Sequence, residues 1–404
     1  MCFDKISEWI DSHSALAVDL ERKLTATKAL APESDGDGEM EKCLLLEDWL
    51  RSHKITDLVR FDAPDDRVSC GKRPNLVATI KGKSSKALWI MSHLDIVPEG
   101  DLSLWKTPPF EVHVEGDKII GRGVEDNQQG VVSSSMMAAA FAELGIQPEL
   151  TIKLLFVADE EVGSIYGIQY LLETQTLFSK DDLIVIPDGG AENGADIEVA
   201  EKHMLWLEFR TVGKQAHGSR PDEGCNAHLA NCFLALEING LEQVFTQRNP
   251  IFAPDYSTFQ PTKKNANVPN INTIPGDDVF CVDCRILPCY TLDEVRSEIQ
   301  KCVKKTEEKY GVAITVEEKQ SVQSPATPND APVVSVLCDA IKSVYGVDGK
   351  IIGIGGGTVA SYLRNAGFHA VVWSRMFETA HQPNEYCLLS NILGDAKVFS
   401  KMVL

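Results

Sequence analysis

The sequence has no basic surplus. Its 404 residues carry a formal net charge of -20, which argues against a nucleic acid or an anionic membrane as partner, because both require a positive face. It has no apolar run long enough to cross a bilayer. The opening stretch, MCFDKISEWIDSH, reads as a polar amphipathic helix and not as a signal peptide. A disulfide framework is absent too: the 11 cysteines are odd in number and scattered, as in a reducing cytosol, so the expected location is cytoplasmic. Cys281-x-x-Cys284 with Cys289 comes nearest to a zinc ribbon. No second pair follows at finger spacing, and the stretch reads as a strand that turns Cys281 and Cys284 to opposite faces. There is no GxSxG elbow for serine hydrolysis. Gly353–Thr358, GIGGGT, is not a GxGxxG fingerprint, since its sixth position is Thr358.

What is present is a globular balance, 44% hydrophobic and 24% charged, on a chain long enough for two domains. Four apolar runs have the character of strands buried on both faces: Ala87–Met91, Thr151–Ala158, Leu183–Ile186 and Ala370–Ser374. Helical stretches alternate with the first three, among them the small-residue helix Val131–Leu144, stopped by Gly145. This predicts an α/β fold with a three-layer domain and a mostly parallel sheet. From Met204 the pattern changes to β-α-β-β-α-β: Met204–Val212, helix Asn226–Asn239, Asn270–Ile274, Val279–Leu287, a helix opened by the Thr291/Glu294 capping box, and Val312–Glu318. That order predicts an inserted ferredoxin-like α+β domain over residues 201–317, with the outer domain formed by 1–200 and 318–404.

Each buried run ends in side chains that can bind metal, and another acid opens a helix. Together these are His93, Asp95, Asp126, Glu160, Glu161, Asp188 and His381. Carboxylates gathered without cations would repel and raise one another's pKa. Two divalent ions would remove that conflict, with two His, one carboxylate between the ions, one further carboxylate for each, and one acid left as a base. Blander readings stay open: Asp126 as a helix cap, Glu160 or Glu161 as a solvated strand-end acid, His381 as a surface-loop histidine.

At these residues the chain resembles the metal-dependent peptidase and amidohydrolase family of acetylornithine deacetylase, succinyl-diaminopimelate desuccinylase, aminoacylase and related dipeptidases. The resemblance rests on SHLDIVPEG, the Trp105–Phe110 segment, GRGVEDNQQG, DEEVGS, PDGG, GKQAHGSRP, NINTIPG, VDCR, GGGT and AHQPNE, in the family's order. It implies two divalent ions, Zn2+ foremost with Co2+ or Mn2+ as alternatives. His93 and Asp188 would hold one ion, Glu161 and His381 the other, and Asp126 both. Asp95 would orient His93, Glu160 would be the general base, and His217 would assist the oxyanion, often from the partner subunit of a dimer. Asn272, Arg285, Gly357 and Thr358 would meet the substrate. The inserted domain would serve as lid and dimerisation domain, giving a homodimer. The implied reaction is hydrolysis of an amide bond in a short peptide or an N-acyl amino acid. Asp at 188 resembles the peptidase side of the family, where deacylases more often carry Glu, and AHQPNE and GGGT resemble the dipeptidase and desuccinylase-like members, so a dipeptidase or an N-acyl-amino-acid hydrolase is expected. A non-catalytic relative that binds a ligand or partner through the same cleft is the alternative from another class.

Overall fold

The computed structural model describes residues 2–404; Met1, where the sequence begins its first helix, lies outside the described residues. Four strands form the centre. Ala87–His93 is buried at every position, Thr151–Val157 at all but Lys153, Leu183–Gly190 through Pro187, and Ala370–Ser374 throughout. Strands apolar on both faces are stable only where helices cover both sides of the sheet. They run parallel in the order Thr151–Val157, Ala87–His93, Leu183–Gly190, Ala370–Ser374. Lys72–Ile80 and then Asp57–Pro64 extend one edge antiparallel. Asp196–Glu201, antiparallel to its neighbour, and Lys350–Ile354 extend the other, giving eight strands. The fold is α/β with a large, mostly parallel sheet.

Gln129–Leu144 packs against this sheet and against the helices Cys2–Ser12, Ser14–Ala26 and Leu389–Met402. Its Ser133–Ser135 and Ala138–Ala140 are all buried, and their short side chains allow the close approach. Gly130 is required at its start: a Cβ there would lie 2.7 Å from Pro187 Cγ and 2.9 Å from Asn127 Oδ1. Ile90, at 0% exposure in the central strand, should make the cost of a cavity here measurable. Ile90→Ala is expected to lower unfolding free energy by about 3 kcal/mol in urea titration.

The chain divides into two compact units. One comprises residues through Val199, Thr327–Ile351 and Thr358–Leu404; the other comprises Ala200–Ala326 and Ile352–Gly357. Residues 318–326 and 352–357, which the sequence places in the outer domain, therefore fall in the second unit. For the first of these, the cause is that strand Ala313–Val322 continues along His203–Val212.

The second unit has a four-stranded antiparallel sheet in the order Thr258–Lys264, Asp277–Ile286, His203–Val212, Ala313–Val322. Helices Ala227–Asn239 and Leu292–Tyr310 supply Leu234, Ile238, Val295 and Ile299 to a core shared with Leu205, Leu207 and Phe209. Thr291 and Glu294 form the expected reciprocal cap. One strand differs from expectation. The second strand of the ferredoxin-like motif is Thr258–Lys264, whereas Asn270–Ile274 contributes only the short pairing of Thr273–Ile274 with Ala216–His217. Thr258–Lys264 is an edge strand, exposed from Gln260 onward and containing Pro261. It has neither the alternation nor the apolar content that marks a strand in sequence.

Candidate metal centre

The parallel strands of the first unit deliver their carboxyl ends to one place, as expected for a ligand site in an open α/β sheet. Ala87–His93 ends on His93, which is buried. Thr151–Val157 leads to the turn Glu160–Val162, and Leu183–Gly190 carries Asp188. Asp126 lies in the kinked turn Val124–Gln128, entered through Gly123 at φ 84; its peptide bond to Asn127 is cis. The loop after Ala370–Ser374 carries His381 at φ 63, a left-handed conformation uncommon outside glycine.

Two triads result, His93/Asp126/Asp188 and Asp126/Glu161/His381, with the donor atoms of each within 4.8 Å of one another. The Asp126 carboxylate is shared and its oxygens are divided. Oδ1 lies 2.9 Å from His93 Nε2, and Oδ2 lies 3.1 Å from His381 Nε2. His93 Nε2 is 3.8 Å from Asp188 Oδ1, and His381 Nε2 is 3.1 Å from Glu161 Oε2.

Asp95 has two tasks. Its backbone carbonyl lies 3.0 Å from His93 Nδ1, with its carboxylate at 3.4 Å. That leaves Nε2 as the ring atom facing the cluster. The same carboxylate accepts the N–H groups of Glu160 and Glu161 at 3.1 and 3.0 Å, anchoring the turn that carries both acids. Glu160 belongs to neither triad, but it lines a small cavity together with His93, Asn127 and Asp188.

The electrostatics record the crowding. Removal from water holds the Glu160 carboxyl well above its usual range, against a lowering by His93 and with further raising by Asp188, Glu161 and Asp95. Burial likewise raises Glu161 and Asp188. For Asp126 the hydrogen bonds from His381 and His93 outweigh burial and lower it. Hydrogen bonds to Asp126 and Glu161 push His381 up to about 10. The carboxylates thus demand positive charge, which the imidazoles supply by holding protons. A divalent cation in each triad would supply positive charge to nitrogen and oxygen donors of suitable type, so the donor set fits a pair of such ions.

The remaining sequence-derived candidates lie elsewhere in the chain. His217 is exposed, with Nδ1 2.8 Å from Ser219 Oγ. Asn272 is exposed, and its carbonyl accepts Gly218 N–H at 2.7 Å. Arg285 is engaged by Asp283, from Nε at 2.7 Å and Nη2 at 3.1 Å, and donates from Nη1 to Gly355 O at 2.9 Å. All three belong to the second unit, as does Gly357. Thr358, in the first unit, accepts Ala360 N–H at 3.2 Å.

Asn127 receives no role from the sequence. Its Nδ2 donates to Asp188 Oδ1 at 2.9 Å and to Pro187 O at 2.6 Å, so it holds one acid of the first triad. Its position immediately after Asp126 is the signal that could have singled it out.

A family model described as Peptidase family M20/M25/M40 matches residues 89–404. The chain is 40% identical over 405 residues to an uncharacterized metallohydrolase of Methanocaldococcus jannaschii, covering 96% of this chain and 98% of the relative. It is 23% identical over 329 residues to a succinyl-diaminopimelate desuccinylase of Orientia tsutsugamushi, covering 79% and 80%. Among solved structures, an aminopeptidase PepT from Bacillus cereus superposes with a TM-score of 0.78 at 16% identity, over 96% of this chain and 98% of the other.

Proposed function

Because the chain belongs to peptidase family M20/M25/M40 and is a metallohydrolase of amide bonds, we propose that it cleaves a short peptide or an N-acyl amino acid with Glu160 as general base. The observation carrying this reading is the divided Asp126 carboxylate, one oxygen toward each triad. In it, His93 and Asp188 hold one ion, Glu161 and His381 the other, and Asp126 both. Zn2+ suits these donors, and Co2+ or Mn2+ would serve. When bound, such ions supply Lewis acidity that acidifies a water and polarises a carbonyl.

Glu160, free of both triads, takes a proton at its carboxylate from the attacking water and passes it to the leaving amine. Asp95 fixes where that carboxylate stands, through the backbone of the turn. His217 donates to the developing oxyanion, from the partner subunit of a homodimer formed through the inserted unit. Gly357 and Thr358 approach the substrate through backbone amides, and Asn272 and Arg285 meet its polar end. Arg285 does so by stiffening the glycine loop through Gly355 and presenting its remaining N–H groups to a carboxylate. Asp at 188 supports the dipeptidase reading through the resemblance alone, since deacylases of that family more often carry Glu there.

The test is a panel of dipeptides, tripeptides and N-acyl amino acids, assayed with protein reconstituted with zinc, cobalt or manganese. Turnover of dipeptides above acylated amino acids is expected. Metal-loaded protein inert on the whole panel would leave a binding role in the same cleft. His217→Ala should lower kcat about 10²-fold, the usual cost of one oxyanion donor, with metal content unchanged. Steady-state rates and metal analysis check this together, and an undiminished rate would remove His217 from the reaction.

A further inference from the structure

The two loops that meet at Asp126 are held by two buried glutamates that neither the triads nor the general base account for. Glu385, 1% exposed, lies four positions beyond His381, yet its carboxylate reaches the loop carrying Asp126. Oε2 accepts Arg122 Nη1 at 2.7 Å and Gly123 N–H at 3.0 Å. Oε1 accepts the N–H groups of Glu125 and Asp126 at 3.0 and 3.1 Å. Glu125, 1% exposed, reaches the opposite way into the loop carrying His381. Oε1 accepts Phe377 N–H at 2.7 Å. Oε2 accepts Thr379 Oγ1 at 2.7 Å and also Thr379 N–H. Between these grips, Glu378, His381 and Asn384 all sit at positive φ. Side chains other than glycine hold that conformation only where the surroundings fix it.

We propose that Glu125 and Glu385 are reciprocal positioning residues, each clamping the loop that carries the other's neighbouring metal donor, so that Asp126 and His381 are presented to one ion at a fixed spacing. The proposal rests on the metal-centre reading above. A carboxyl group whose two oxygens accept several N–H groups of another loop holds that loop through directional bonds. Outer partners of this kind commonly change metal affinity by about 10- to 100-fold. The two clamps differ in reach. Glu385 fixes Asp126, common to both triads, whereas Glu125 fixes only the His381 loop. Loosening Glu125 should therefore weaken one of two binding steps, and loosening Glu385 should weaken both.

The experiment is calorimetric titration of Zn2+ into chelator-treated wild type, Glu125→Gln, Glu385→Gln and the milder Thr379→Val. The melting temperature of each stripped protein is measured alongside, with kcat and KM after reloading. In Glu125→Gln one zinc step should lose about tenfold or more while the other holds; in Glu385→Gln both should weaken. Thr379→Val, which removes one hydroxyl donor and no charge, should stay folded, lose affinity several-fold at the same step as Glu125→Gln, and lower kcat more than it changes KM. Unchanged zinc affinity in folded Glu125→Gln and Thr379→Val, with only a lower melting temperature, would overturn the proposal. If Glu125→Gln does not fold, Thr379→Val decides alone. Wild type that takes up no zinc would instead refute the metal-centre reading itself, and the two failures are distinct.

Discussion

Glu160→Gln is expected to leave a folded, metal-loaded protein whose kcat is about 10³-fold lower, the usual range for a lost general base, with KM near that of the wild type. The amide matches the carboxylate in size, and the bonds that fix the turn come from the backbone N–H groups of Glu160 and Glu161 to Asp95. The substitution therefore leaves the support intact. It also removes an acid whose ionisation is opposed by lost hydration and by the neighbouring Asp188, Glu161 and Asp95. A carboxyl with a raised native pKa binds its proton more tightly in the folded state. Through it, stability falls as pH rises from the unfolded pKa toward the folded one. Stripped Glu160→Gln should thus be no less stable than stripped wild type at neutral pH. Single-turnover rates, metal content and thermal melts check the three parts separately. A variant that turns over at the wild-type rate would take Glu160 out of the chemistry.

Asp126→Ala should do more, abolishing measurable turnover and tight binding of both ions. Its two oxygens face different imidazoles, so no other side chain in either triad can replace it. Asp188→Ala and Glu161→Ala each touch a single triad and should each spare one ion. Equilibrium dialysis of zinc against the three variants distinguishes a shared carboxylate from three equivalent ligands. Retention of two tightly held ions by Asp126→Ala would exclude sharing. In the wild type the same measurement should depend on pH. An imidazole must lose its proton to coordinate, and the hydrogen bonds to Asp126 and Glu161 hold the His381 proton up to about 10. Zinc affinity should therefore rise from pH 6 to pH 8, with protons released on binding.

The parts of the fold legible in the sequence were those governed by burial. The runs ending at His93, Asp159 and Asp188 are apolar because both faces of each strand are covered, and a run of that kind marks its own limits. Their ends also marked the acids and imidazole of the site, since ligands of an open α/β sheet sit at the carboxyl ends of its strands. Asp196–Glu201 was not legible: three of its six residues are acidic, and one of them, Glu198, is buried where Arg364 Nη1 meets it at 2.9 Å. Thr258–Lys264 was hidden by the absence of a second sheet face to bury. Glu125 and Glu385 stand within motifs quoted from the sequence, but an acid in a loop looks solvated until its acceptor oxygens are seen filled by N–H groups from a segment some 250 positions away.

The chain leaves the first unit after Val199 and returns only at Thr327, so His381 and the residue that clamps Asp126 are translated after the whole of the intervening unit. Synthesis proceeds from the amino end, and domains fold as they emerge. A nascent chain therefore carries His93, Asp126, Glu161 and Asp188 for much of its growth without the last imidazole. On the proposed roles, the second triad closes only after His381 has been made, so a message broken before that codon is expected to yield an inactive product.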